Sequence, residues 1–110
     1  DGATMGDKEK MMGEGGMMAS VKEFTVEARN FKFSVPEMKV KKGDTVRVFF
    51  KNAEGFHDWV IDEFSEKTEQ LKVGESETIE FVVDKTGTFK YYCSVGQHRA
   101  NGMKGNLIVE

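Results

Sequence analysis

The side chains best suited to chemistry lie in one segment near the end of the 110-residue chain. Cys93, His98 and Met103 follow one another there with four residues between neighbours, so the segment supplies a thiol, an imidazole and a thioether. His57 is the other of only two histidines, and Cys93 is the only cysteine. A single cysteine cannot form an intramolecular disulfide, and it excludes a four-thiolate zinc site and a four-cysteine iron–sulfur cluster.

These four residues match a known set of metal ligands. One thiolate and two imidazoles in a trigonal arrangement, with a thioether as a long axial ligand, form the blue-copper site of electron-transfer proteins. Thiolate and thioether favour Cu(I), whereas imidazole accepts both oxidation states, so such a site changes little in geometry when an electron moves. A lone His or Met is usually a packing or surface residue, but here both histidines and the sole cysteine fall into one pattern. The pattern predicts one type 1 copper held by His57, Cys93, His98 and Met103.

The segments around these residues are typical of short strands. From Val21 onward apolar and polar residues alternate with a period of two, as in Phe24, Val26 and Ala28, and turn signals recur every 8–12 residues or so. We therefore expect an all-β fold, an antiparallel sandwich or barrel of seven or eight strands, with a loop or one short helix in 62–76. The predicted strands cover 21–35, 38–40, 45–51, 57–61, 77–83, 88–93 and 106–110.

Residues 1–20 differ from the rest of the chain. They hold five of the twelve glycines and five of the seven methionines, and no aromatic, Val, Ile or Leu residue. Such a segment buries too little apolar surface to offset its ordering entropy, so we expect a flexible leader over 1–20 and one domain over 21–110. The pairs Met11–Met12 and Met17–Met18 leave a second interpretation open, in which thioethers capture Cu(I). A low-complexity linker is the simpler interpretation.

Charge and hydropathy exclude other classes of protein. Lys and Arg number 16 against 19 Asp and Glu, for a net charge of -3, whereas nucleic-acid binding usually requires a concentrated basic patch. No apolar run approaches the roughly 20 residues that span a bilayer. The stretch from Asp62 to Glu80 contains seven acidic residues and only two lysines. Two basic residues, Arg99 and Lys104, lie instead in and next to the ligand segment. This uneven charge could orient a partner, although a solvated surface is the default interpretation.

The sequence resembles the cupredoxin family, and specifically its plastocyanin/azurin group of single-domain blue-copper proteins. The likeness covers about residues 21–110 and rests on GFHDWVID and, about thirty residues later, GTFKYYCSVGQHRANGMKGNLIVE. It implies a Greek-key β-sandwich with the copper at one end, beneath the ligand loops. The spacing of the ligand loop is similar to that of the longer-loop members rusticyanin and auracyanin.

The resemblance also implies roles for the neighbours of the ligands. Asp58 takes a position that is often Asn, whose side chain bonds to the residue after the Cys, here Ser94. A carboxylate there would lower the reduction potential, whereas backbone N–H groups bonded to the Cys sulfur would raise it. The Phe56 carbonyl lies where some azurins supply a weak fifth contact. Tyr92 matches an aromatic residue beside the Cys and is a candidate electron port, with a half-buried strand tyrosine as the equal alternative.

By this resemblance the chain is a one-electron shuttle and not an enzyme. His98 is the expected solvent-edge ligand, where redox partners dock transiently. We expect a monomer outside the cytoplasm, in a periplasm for instance, with the leader as a candidate membrane tether. Three alternatives remain open: a copper enzyme, which needs further histidines, a red-copper site completed by a carboxylate such as Glu54, and copper storage through the Met-rich leader.

Overall fold

The structure is a computed structural model that describes residues 20–110. The predicted leader lies outside the described residues except for Ser20, so its flexibility stays a prediction. The described residues form strands β1 (Val21–Arg29), β2 (Lys32–Phe33), β3 (Glu37–Val40), β4 (Thr45–Asn52), β5 (Val60–Ile61), β6 (Glu66–Lys67), β7 (Ser76–Val82), β8 (Gly87–Tyr92) and β9 (Lys104–Val109), with a short 3-10 helix at Asp62–Phe64.

The strands form two sheets that bury their alternating apolar residues between them. One sheet has the order β2-β1-β4-β7, and the other has the order β3-β9-β8-β5-β6. In β4, for example, Val46, Val48 and Phe50 are fully buried while the residues between them are only partly covered. Successive side chains of a strand point to opposite faces, so this alternation directs one face of each sheet to a shared core.

Aromatic contacts show that the sheets lie face to face. Phe33 and Phe50 belong to the first sheet, and the Phe33 ring centroid lies 5.8 Å from that of Tyr91, on β8 of the second. Trp59, just before β5, packs against Tyr91 with the ring centroids 4.9 Å apart and is fully buried. Each large apolar side chain in such a core contributes about 1.5–3 kcal/mol. The predicted β-sandwich is therefore confirmed.

Three details differ from the sequence-based prediction. The pairs β1–β4 and β3–β9 are parallel, whereas we expected antiparallel pairing throughout. Nine strands are present among residues 20–110 because two-residue strands are too short to show an alternation. Of the predicted strand 57–61 only Val60–Ile61 is a strand, and His57 forms an isolated bridge to Leu71.

The segment 62–76 holds the 3-10 helix and the short strand β6, in line with the expected loop or short helix. Within residues 20–110, no helix is long and apolar enough to cross a membrane.

Candidate metal centre

Two separate segments meet at one end of the sandwich to form the site. His57 is held by a pair of backbone hydrogen bonds with Leu71: the His57 N–H donates at 3.2 Å and the Leu71 N–H donates back at 2.8 Å. Cys93 directly follows β8, and the loop 94–103 leads to β9. The first histidine therefore comes from one part of the chain and the remaining candidates from another.

The loop after Cys93 is closed by its own backbone. The Cys93 N–H donates to the Met103 carbonyl at 3.1 Å, and the Met103 N–H donates to the His98 carbonyl at 3.0 Å. The His98 N–H donates to the Val95 carbonyl at 3.0 Å. These bonds set the distances between the three loop residues before any metal binds.

The side chains of His57, Cys93 and His98 form a compact triangle. The two Nδ1 atoms are 3.1 Å apart, and the Cys93 sulfur lies 3.8 Å from Nδ1 of His57 and 3.5 Å from Nδ1 of His98. A point equidistant from the three atoms lies about 2 Å from each, close to the ~2.0–2.3 Å of bonds between a first-row metal ion and nitrogen or sulfur. The donor set thus fits a trigonally bound copper ion.

Burial keeps His57 and Cys93 uncharged in the metal-free site. His57 and Cys93 are fully buried, whereas His98 is half-buried. Burial, and next the nearby His98, lower the pKa of His57, so its imidazole stays neutral. Burial also raises the pKa of the Cys93 thiol, although backbone N–H groups of Asp58 and Val95 act in the opposite direction. A metal cation would displace the thiol proton, because a coordinating thiol is deprotonated outright.

Met103 is the fourth predicted ligand. It is fully buried, and its backbone bonds to Cys93 and His98 place it within the same closed loop. It packs in the core cluster that also contains Cys93. Its role as the axial ligand stays a prediction.

The predicted bond between Asp58 and Ser94 is present. The Ser94 N–H donates to one carboxylate oxygen at 2.7 Å, and the Ser94 hydroxyl donates to the other. Phe56 precedes His57 with 41% of its surface exposed, and the weak contact of its carbonyl with the metal stays a prediction.

Tyr92 is half-buried beside Cys93 and joins two surface groups. Its hydroxyl donates to Asp62 at 2.9 Å, and the Arg99 guanidinium lies 4.1 Å above its ring. Burial and the bonded Asp62 carboxylate raise the pKa of Tyr92. Arg99 therefore connects the ligand loop to Tyr92, the last residue of β8.

Two further residues touch the predicted ligands and were missed in the sequence. The Asn30 side-chain oxygen lies 3.1 Å from Nε2 of His57, and the Phe31 ring centroid lies 4.8 Å from that of His98. Both residues lie in the turn between β1 and β2. No spacing rule marks them, because the parallel pairing of β1 with β4 is what brings this turn to the site.

Comparisons with known proteins agree with this geometry. The family described as copper binding proteins, plastocyanin/azurin family, matches residues 18–110. Plastocyanin A/B of Petroselinum crispum is 36% identical over 87 residues, which are 70% of this chain and 86% of that protein. L-ascorbate oxidase of Nicotiana tabacum is 32% identical over 102 residues, 80% of this chain but only 18% of the oxidase.

Among solved structures, auracyanin of the photosynthetic bacterium Roseiflexus castenholzii is similar with a TM-score of 0.75 and 26% identity, covering 84% of this chain and 99% of the auracyanin. The family match spans all of the described residues, and the plastocyanin match exceeds 30% identity over most of that protein. The chain therefore belongs to the plastocyanin/azurin family of copper-binding proteins.

Proposed function

We propose that this chain is a one-electron carrier with a single type 1 copper bound by His57, Cys93 and His98 and by Met103 as the axial ligand. The observation that supports this most directly is the triangle of two Nδ1 atoms and one sulfur, with sides of 3.1, 3.8 and 3.5 Å. When bound, copper supplies the Cu(I)/Cu(II) couple.

The protein's own residues keep the site the same in both oxidation states. The backbone bonds within the loop 94–103 and the bridge between His57 and Leu71 restrain both ligand segments. Full burial of His57, Cys93 and Met103 excludes water from these three side chains. Restrained ligands of which three are shielded from water resist rearrangement, and a small rearrangement is what rapid electron transfer needs.

His98 is the proposed point of electron entry and exit. It is half-buried, and the Phe31 ring beside it is 42% exposed. Phe56, next to His57, is 41% exposed. Exposed aromatic rings beside a ligand suit weak, small-area docking of a redox protein, which needs close approach and rapid release.

Tyr92 is a second candidate port, since it directly precedes Cys93. Its contacts with Asp62 and Arg99 also support the alternative that it braces the ligand loop. Replacing Tyr92 with Phe keeps the ring over which Arg99 lies and removes the bond to Asp62, so faster loss of copper from this variant would favour the brace. A slower electron-transfer rate with unchanged copper binding in Tyr92→Leu would favour the port.

The enzyme alternatives have less support. Within residues 20–110, His57, Cys93 and His98 form the one group of three or more His, Cys, Asp or Glu side chains close enough to hold a metal. The Glu54 carboxylate, the candidate for a red-copper site, accepts a hydrogen bond from the Asn30 N–H at 3.0 Å and is outside that group. The similarity to L-ascorbate oxidase concerns only 18% of that enzyme's length.

We also propose that the protein works outside the cytoplasm as a monomer, with residues 1–20 as a flexible tether. The family resemblance supports the compartment, and the Gly- and Met-rich composition supports the tether. Deleting residues 1–20 should leave the copper affinity unchanged, whereas a loss of copper loading would favour the alternative of Cu(I) capture by the methionines.

Copper titration of the purified protein tests the proposed function. We expect one copper per chain, an intense blue colour in the oxidised form, a narrow copper splitting in electron paramagnetic resonance, and reversible loss of the colour on reduction. Cys93→Ser should abolish the colour because it removes the thiolate, whereas Ser76→Ala, at an exposed serine of β7, should keep it. A colourless wild type or a blue Cys93→Ser variant would contradict the proposal.

A further inference from the structure

We propose that Asn30 is a positioning residue for the copper site, whose side-chain oxygen holds the His57 ring with Nδ1 directed to the metal. The contact that points to this role joins Asn30 Oδ1 and His57 Nε2 at 3.1 Å. The role rests on the proposed function, because it concerns the same site.

The geometry of the ring decides which nitrogen carries the proton. Nδ1 of His57 is the atom that faces Nδ1 of His98 and the sulfur of Cys93. A neutral imidazole that offers Nδ1 to a metal must hold its proton on Nε2. That Nε2–H then donates to Asn30, and such an acceptor fixes both the tautomer and the ring orientation.

Asn30 is itself fixed by the loop that carries His57. Its backbone N–H donates to the Glu54 carboxylate at 3.0 Å, and the Glu54 N–H donates to the Asn52 side-chain oxygen at 3.3 Å. The Asn52 amide group donates to the Gly55 carbonyl at 2.7 Å and the Leu71 carbonyl at 2.8 Å. Because Leu71 also bridges to His57, these bonds connect the acceptor and the ligand through one polar network.

Gly55 leaves the space that this contact occupies. A Cβ at position 55 would overlap the Asn30 side-chain oxygen and would lie 2.9 Å from Nε2 of His57. The backbone there has a φ of +83°, a conformation that glycine adopts without strain. The hydrogen-bonded network and the absence of a Cβ at Gly55 therefore both support the bond between Asn30 Oδ1 and His57 Nε2.

Asn30 is exposed, so replacing it removes no core packing. In Asn30→Ala we expect a 10- to 100-fold loss of copper affinity, roughly the usual effect of removing the hydrogen-bond acceptor of a metal-bound histidine. Asn30→Asp should keep an affinity close to that of the wild type, because a carboxylate oxygen also accepts from Nε2–H, and it should lower the reduction potential by adding a negative charge. Asn106→Ala, at an exposed asparagine of β9, is the matched control.

A second measurement reports how fast the His57 Nε2–H proton exchanges with water. In the diamagnetic Cu(I) protein, the Nε2–H signal of His57 in nitrogen-15 NMR should exchange slowly with water in the wild type and in Asn30→Asp, and quickly in Asn30→Ala. Gly55→Ala, which displaces the Asn30 side chain, should resemble Asn30→Ala. Wild-type affinity together with slow Nε2–H exchange in Asn30→Ala would overturn the inference.

The two proposals fail separately. The exchange measurement also works with zinc in place of copper, so it does not depend on a blue colour. A wild type that binds zinc, protects Nε2–H through Asn30 and never becomes blue would contradict the proposed function alone. A blue wild type whose Nε2–H exchange rate is the same as that of Asn30→Ala would contradict the positioning role alone.

Discussion

The Asp58 carboxylate accepts hydrogen bonds from both the backbone N–H and the hydroxyl of Ser94. Asp58 directly follows the ligand His57, and Ser94 directly follows the ligand Cys93, so these bonds tie the two ligand segments together. Asp58 is only 3% exposed. A carboxylate is thus buried beside the site, and its charge affects the reduction potential.

Asp58→Asn should raise the reduction potential while preserving the blue colour. The amide oxygen still accepts from Ser94, but the negative charge that favours Cu(II) is gone. At an effective dielectric constant of about 20, removing a charge about 7 Å from the copper corresponds to a shift on the order of 100 mV. A redox titration measures the shift. Asp84→Asn, at an exposed turn carboxylate, serves as the control, and equal potentials for the two variants would contradict the prediction.

Met103→Leu should keep the copper and also raise the potential. Leucine fills the same buried space, and the backbone bonds to Cys93 and His98 do not depend on the side chain. Losing a thioether ligand destabilises the oxidised site more than the reduced one, because the remaining ligands leave Cu(II) under-coordinated. Met38→Leu, at a buried methionine of β3, is the matched control and should leave the potential unchanged. If Met103→Leu loses its copper, the axial ligand is needed for binding.

Phe31→Ser should slow electron exchange without changing the visible spectrum. Phe31 is exposed against the His98 ring, so its loss removes an apolar contact at the proposed docking surface. One such contact is worth about 1–2 kcal/mol, which corresponds to a roughly tenfold slower exchange. NMR line broadening in mixtures of oxidised and reduced protein measures the rate.

The control for that experiment is Val82→Ser. Val82 is 56% exposed and pairs with Thr45, at the end of β4 opposite to Asn52 and the site. An equal decrease of the exchange rate in both variants would show that docking does not take place at His98.

Tyr91→Phe should lower the free energy of unfolding at neutral pH. It should also reduce the further loss of that free energy at alkaline pH. The buried Tyr91 hydroxyl donates to the Val35 carbonyl at 2.6 Å, a bond worth about 1 kcal/mol. Burial, and next the charge of Glu37, raise the pKa of Tyr91 above its ordinary value. The unfolded chain therefore releases the Tyr91 proton at a lower pH than the folded protein does. The contribution of Tyr91 to the free energy of unfolding is fully present below about pH 10 and is lost as the pH rises further.

Urea unfolding of the metal-free protein at neutral pH and above about pH 10 measures both effects. The wild type should lose more free energy of unfolding over this range than Tyr91→Phe does. Parallel declines in the two proteins would show that another group controls the alkaline transition.

The β-sandwich could be predicted from the sequence because its strands alternate so regularly. Val46, Val48 and Phe50 show the buried face of β4 without any structure. The direction of pairing could not be predicted in this way, because a strand has the same alternation in parallel and antiparallel ladders. The parallel register that pairs Ala28 with Asn52 therefore became visible only in the fold.

The ligand pattern could be predicted for a different reason. Cys93 and His98 lie in one short loop, and His57 was the only remaining histidine. Asn30 carries no comparable signal, since an exposed asparagine in a turn is ordinary and its role depends on a contact across 27 positions of sequence. What the sequence lacks is the register that sets this turn beside Gly55.

The ladder between β8 and β9 continues up to the pair Tyr92 and Lys104, and the bond from the Cys93 N–H to the Met103 carbonyl closes it directly below the ligand loop. Insertions or deletions between Ser94 and Gly102 would therefore change the length of the loop without shifting the pairing of β8 and β9. The loop is in this sense structurally separate from the two strands that carry it. A loop of another length that keeps the bond between the Cys93 N–H and the Met103 carbonyl would leave β8 and β9 paired as they are.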